Sequence, residues 1–145
     1  MELSRFTDYS LRTLLFAGVH AGRNVTVPEV AAAYRISENH LVKVAQELRK
    51  LGLIDTWRGR KGGFRLARPA EEIRLGEVVR STETLVLVEC LREDGGSCPI
   101  DGACVLKGVI CEAREAFLAV FDRYTLADLL SGRLGEKLRV VLGGI

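Results

Sequence analysis

Proline is scarce, at 3 in 145 residues, and no segment is low in complexity or repeats itself. With 48% of the residues apolar, the composition excludes a disordered chain and allows one domain, or one small domain with an oligomerisation arm. No run of about 18 uncharged apolar residues occurs, which excludes a helical membrane span. The opening stretch MELSRFTDYSLRTLLFAGVHAG holds Asp8 and Arg12 within its apolar run and carries no cleavage signature. A cytoplasmic protein is therefore expected. Histidines number two, His20 and His40, both far from the cysteines in sequence. With no nucleophile–base constellation in view, an enzyme is not expected.

The net charge of +2 hides an asymmetry. Residues 1–70 hold 12 Lys/Arg against 6 Asp/Glu, a net +6, and residues 71–145 hold 9 against 13, a net −4. A basic front and an acidic back imply a polyanionic partner for the front alone.

The helical spacing of Phe6, Leu11, Leu14, Leu15, Phe16 and Val19 predicts a first helix over about 4–21. Thr26 and Glu29 form a capping-box pattern, and Pro28 is tolerated in a first turn, so a short helix follows over about 28–34. Ser37 is a good N-cap and Glu38 suits a positive helix start. From there Leu41, Val44, Ala45, Leu48 and Leu51 make one apolar stripe, and Gly52 stands where a C′ glycine belongs. Asn39, His40 and Lys43 lie off that stripe. Two helices with a short turn, the second polar and basic outside, form a helix-turn-helix pattern.

That pattern alone also occurs in proteins that touch no DNA. The next stretch strengthens it: residues 53–57 and 64–67 read as paired strands around Arg58-Gly59-Arg60-Lys61-Gly62-Gly63. The glycines permit a tight hairpin, and the cations at its tip suit phosphate or a minor groove. This is the winged-helix order. Ile73, Leu75, Val78 and Val79 predict a packing helix, while 84–88 reads as helix or strand. Helical period then runs through Leu106, Val109, Ile110, Ala113, Ala116, Phe117, Val120 and Phe121, predicting a helix over 104–123. So broad a stripe needs a partner, most simply its twin in a homodimer. Thr125 caps a short helix over 126–130, and the remaining tail is expected to fray.

The expected fold is mainly α with a small β-hairpin: a winged helix-turn-helix domain (1–80), a connector and loop (81–103), and a dimerisation helix with a tail (104–145).

All four cysteines fall in CLREDGGSCPIDGACVLKGVIC, residues 90–111. None is paired at the spacing of about two to four residues common in structural zinc sites, and the spacing also departs from the ferredoxin runs. Clustered thiols in a reducing compartment favour a metal or redox centre over disulfides. Gly95, Gly96 and Gly102 loosen the loop, and Cys104 opens the long helix, whose positive end favours negative charge. Cys111, inside that helix, reads as a small core residue. Three thiolates leave one position open for another ligand.

The segments FTDYSLR, SENHLVKV, RGRKGGFRLARPAEEIRLGEVVR, LVEC…C…C and DRYTLADLL resemble the iron–sulfur winged-helix family of transcription regulators. Within it they are most similar to the nitric-oxide-sensing repressors. The resemblance spans nearly the whole chain and implies a homodimer carrying an iron–sulfur cluster in each subunit, [4Fe–4S] rather than [2Fe–2S]. It implies Cys90, Cys98 and Cys104 as three ligands, and Asp8 from the other subunit as the fourth. The loop between Cys90 and Cys98 is longer than the family pattern. The resemblance further implies that reaction of the cluster with nitric oxide frees Asp8 and releases the protein from double-stranded, palindromic promoter DNA. On that DNA, Ser37, Asn39, His40 and Lys43 would face the major groove or its phosphates, and Arg58, Arg60 and Lys61 would serve the wing. One rival is a family member answering to redox state, iron or cluster supply. Another, of a different class, is an electron-transfer or zinc-stabilised interaction protein.

Overall fold

The computed structural model describes residues 2–59, 62–93, 95 and 97–143. Its first helix, α1 (Arg5–Val19), is capped by Ser4, whose hydroxyl accepts from the Thr7 amide. One face of α1 buries Leu14, Phe16 and Ala17. The same helix buries three hydroxyl residues, Thr7, Ser10 and Thr13. Each hydroxyl is satisfied within the first turns: Ser10 donates to the Phe6 carbonyl at 2.8 Å and Thr13 to the Tyr9 carbonyl at 2.7 Å, while Thr7 pairs with Ser4 at 3.1 Å.

Helix α2 (Val27–Tyr34) begins with the expected capping box, complete in both directions between Thr26 and Glu29, with Pro28 in its first turn. It ends at Arg35, which adopts a left-handed conformation (φ 55°) to make the turn. Helix α3 (Glu38–Lys50) buries Leu41, Val44, Ala45 and Leu48 against α1 and α2. It is followed by Gly52 at φ +67°, the geometry that stops a helix after its last turn. Strands β1 (Ile54–Trp57) and β2 (Gly63–Leu66) form an antiparallel hairpin in which Thr56 faces Phe64. Gly63 at φ +131° lets β2 approach Val25, which exchanges both backbone hydrogen bonds with Phe64 at 2.7 and 2.8 Å. The wing is thereby stitched to the segment ahead of α2.

Helix α4 (Leu75–Thr82) buries Leu75, Val78 and Val79. Residues 84–88, whose pattern suits either helix or strand, are irregular. Helix α5 (Val105–Asp122) is 18 residues long, or about 27 Å, and starts one residue after Cys104. Its C-terminal end is fixed to α4 by Asp122, which accepts from Arg80 in a bidentate pair, one bond measuring 2.7 Å. Gly76 lies under this pair, where a Cβ would strike the Asp122 carboxylate.

After α5 the chain turns back. Helix α6 (Leu126–Leu130) opens with a second capping box, between Thr125 and Asp128. The tail expected to fray is instead helix α7 (Gly132–Gly143). Its weak start, rich in glycine and charge, hides the reason: Leu142 is buried, and with Leu126 and Leu130 it joins the core built by α1, α2 and α3. Tertiary packing outweighs the poor local pattern. None of these helices is long and apolar enough to cross a membrane.

Candidate DNA-reading face and cysteine connector

The apolar stripe of α3 sits in the core, so its N-terminal polar residues are turned outward. Ser37, Glu38, Asn39, His40 and Lys43 are all exposed. Ser37 occupies the N-cap, with its carbonyl accepting from the His40 and Leu41 amides. Its hydroxyl makes no capping bond and stays available at the surface. The hairpin closes through a bond from the Gly62 amide to the Gly59 carbonyl at 2.8 Å, and Arg58 is exposed beside it. Arg60 and Lys61 lie outside the described residues. Arg65, outside the set of wing cations expected from the sequence, has its guanidinium 4.5 Å from the centre of the exposed Trp57 ring. The signal was available: in the hairpin register, residues 57 and 65 are diagonal neighbours on one face. The ring holds the cation on the wing without neutralising it.

The three cysteines matched to the family motif are strung along the connector between α4 and α5. Cys90 lies in a 3-10 turn (Glu89–Leu91), Cys98 in the exposed loop, and Cys104 at the N-cap of α5. All four cysteines are free thiols. Lys107, one turn into α5, donates to Asp101 at 2.6 Å. That hydrogen bond holds its ammonium above the usual lysine range, with smaller contributions from Cys90 and Cys111, so both sulfurs lie within electrostatic reach of one cation. Cys111 is half-buried rather than a core residue. In kind, three thiols on a glycine-loosened loop suit an iron–sulfur group. Among the described residues, however, no three Cys, His, Asp or Glu side chains converge closely enough to hold a metal ion.

Asp8 lies on α1 and is paired within its own chain. Arg12 holds its carboxylate bidentately, at 2.9 Å from Nε and 2.8 Å from the terminal nitrogen. Arg12 also reaches the ring of Tyr34, the last residue of α2, at 5.8 Å. Burial pushes the Tyr34 hydroxyl up to about 12, with Arg12 opposing, and that hydroxyl has no hydrogen-bond partner among the described residues. One turn earlier, Glu83 accepts from the Ser4 amide at 2.7 Å. Burial alone would raise this carboxyl, but hydrogen bonds from Ser4, Thr7 and Thr84 outweigh it and hold it below the usual range. Glu83 thus ties the start of the Asp8 helix to the segment leading to Cys90. Its 79-residue separation from Ser4 left no local signal in the sequence.

These features have counterparts in known proteins. A family model described as Rrf2, iron-dependent transcriptional regulator, matches residues 3–132. The HTH-type transcriptional regulator NsrR of Shouchella clausii is 51% identical over 144 residues, covering 98% of this chain and 95% of that protein. The NsrR of Bacillus subtilis is 46% identical over 135 residues, covering 92% of each. Among solved structures, T. potens IscR superposes with a TM-score of 0.73 at 27% identity, covering 90% of this chain and 86% of that one. Staphylococcus aureus CymR gives 0.70 at 27% identity over 89% and 98% of the two chains. The exposed recognition helix, the stitched wing and these relationships agree: the chain is not an enzyme but a winged-helix DNA-binding transcriptional regulator, and it belongs to the Rrf2 family.

Proposed function

We propose that the chain is a homodimeric repressor that binds palindromic promoter DNA and senses nitric oxide through an iron–sulfur cluster, [4Fe–4S] rather than [2Fe–2S]. The observation that carries this reading is the placement of the three motif cysteines. They occupy the single connector joining the DNA-reading domain to α5, all as free thiols. A group bound there lies between the element that sets dimer geometry and the elements that meet DNA. Residues 1–80 form the DNA-reading domain in this reading, 81–103 the cluster-binding connector, and 104–145 the dimerisation helix and tail.

Each residue has a task. Cys90, Cys98 and Cys104 hold the cluster, and Asp8 of the opposite protomer completes its ligation. When bound, the cluster supplies iron that reacts with nitric oxide. With Asp8 returned to its Arg12 partner instead, α1 would be free to shift, and the spacing of the two recognition helices would depart from one DNA turn. Ser37, Asn39, His40 and Lys43 read the major groove or its phosphates, and Arg58, Arg60, Lys61 and Arg65 serve the wing.

The dimer is supported by α5. Leu106, Val109, Ala113, Ala116 and Val120 recur at alternating three- and four-residue steps and are all exposed in the single chain. Such a seam matches a helix packed along its twin. One specific observation favours a second reading, the same fold answering to iron or cluster supply: the matching family model is described as iron-dependent.

The test is anaerobic purification with iron and sulfide analysis, then titration with nitric oxide while following binding to a duplex selected by this protein from a random pool. About four iron per subunit and release on nitric oxide addition are expected. Asp8→Ala should lose its cluster faster to a chelator. Retention of DNA after nitric oxide, with release on iron withdrawal instead, would establish the second reading.

A further inference from the structure

The turn of α1 that carries Asp8 makes a contact that the reading above does not use. Tyr9 is the next residue, about 100° further round the helix. Its ring centre lies 6.2 Å from that of His40, with the planes tilted by 38°. Together with Arg5, Phe6, Lys43 and Val44 these rings line a cleft of about 260 Å³ between α1 and α3. His40 is exposed, and it stands in the first turn of the recognition helix among the residues assigned to DNA. Within the α1–α3 packing, the Asp8 turn therefore meets the DNA-reading turn at this aromatic pair.

The same part of α1 carries two hydroxyl back-bonds. Ser10 and Thr13 donate to the carbonyls of Phe6 and Tyr9, four residues back. Hydroxyl back-bonding of this kind competes with the helix's own hydrogen bonds and favours bending. Tyr9 itself supplies one of the accepting carbonyls, so its contact with His40 sits at the back-bonded turn. Arg12, one turn on, makes a contact over Tyr34, but that leads to α2 and not to the helix that meets bases.

We propose that Tyr9 is a positioning residue that carries the ligation state of Asp8 to the recognition helix through His40. The inference rests on the reading of Asp8 as a ligand of the partner's cluster. Because Asp8, Tyr9 and His40 share one chain while the thiols belong to the other, each cluster reports to the recognition helix of the opposite protomer.

The experiment compares the full chain with Tyr9→Leu, Tyr9→Phe and Asp8→Ala. It measures iron and sulfide content, visible absorption, and affinity for the selected duplex in cluster-loaded and cluster-free forms. Tyr9→Leu is expected to keep wild-type iron content and absorption while its loaded-to-free affinity ratio falls about three-fold or more, a sizeable part of a typical coupling. Tyr9→Phe keeps the ring and should keep the ratio. A ring that merely supports α3 would weaken both forms equally, and an unchanged ratio in Tyr9→Leu overturns the relay. If Asp8→Ala collapses the ratio and Tyr9→Leu does not, only the relay falls. If the ratio survives Asp8→Ala, the assignment of Asp8 falls and the relay with it. Should Tyr9→Leu fail to fold, Tyr9→Met, which keeps an apolar side chain of similar reach but no ring, reads the same ratio, with the same fall expected and the same unchanged ratio overturning the relay.

Discussion

A threonine hydroxyl and a glutamate three residues on hold the start of α2 by returning each other's hydrogen bonds. The Thr26 amide donates to Glu29 at 2.6 Å, and the Glu29 amide donates back to the Thr26 hydroxyl at 3.4 Å. Burial would raise the Glu29 carboxyl, but the Thr26 bonds and the Arg23 guanidinium prevail and hold it below its ordinary range. Because the folded value is depressed, the stabilisation is complete above the unfolded value near 4.5 and is lost as pH falls through the folded one. Thr26→Ala should cost about 1 kcal/mol at neutral pH, read from chemical denaturation, and the difference from the unchanged chain should shrink in acid. An equal difference at neutral and acid pH would remove Glu29 from the account. This pair was legible in the sequence because its partners are three residues apart. The Asp8–Arg12 pair had the same kind of local signal, an acid and a base one helical turn apart, but its use could not be read from spacing alone.

At the scale of elements, α5 carries two faces with different fates. One face meets α4 and buries Leu118, while Leu106 and Val109 on the other are 62% and 54% exposed. Val109→Glu puts a charge in the seam and should turn a dimer into a monomer in sedimentation, with the helical content kept. A dimer that survives the charge would place the interface elsewhere. The helix-turn-helix, the wing and α5 were legible because each has a strong period or a turn signature. Helix α7 was not, because what fixes it, besides the neighbouring α6, is packing against α1, more than a hundred residues earlier, and no window along the chain contains that contact. The tie that joins the start of α1 to the segment before Cys90 was illegible for a related reason: Ser4 and Glu83 lie 79 residues apart, and no local spacing announces their bond.

For the whole molecule, the uneven charge decides how the partner is met. Residues 1–70, at +6, hold the recognition helix and the wing, while the acidic remainder holds the connector and α5. Affinity for the selected duplex should fall steeply as salt rises from about 50 to 200 mM, by orders of magnitude if several phosphates are neutralised. A flat dependence would mean that the basic face is not the one used. The return of α6 and α7 to α1 has a further consequence, for a chain still being made. Leu126, Leu130 and Leu142 complete a core begun by the first helix, so the DNA-reading half gains these contacts only once residue 142 has been made. A product ending after Ser131 lacks α7 and should melt well below the full chain in a thermal scan, wing and recognition helix included. A chain cut short of α7 should therefore be a poor competitor for the promoter, which a duplex-binding measurement on the product ending after Ser131 checks.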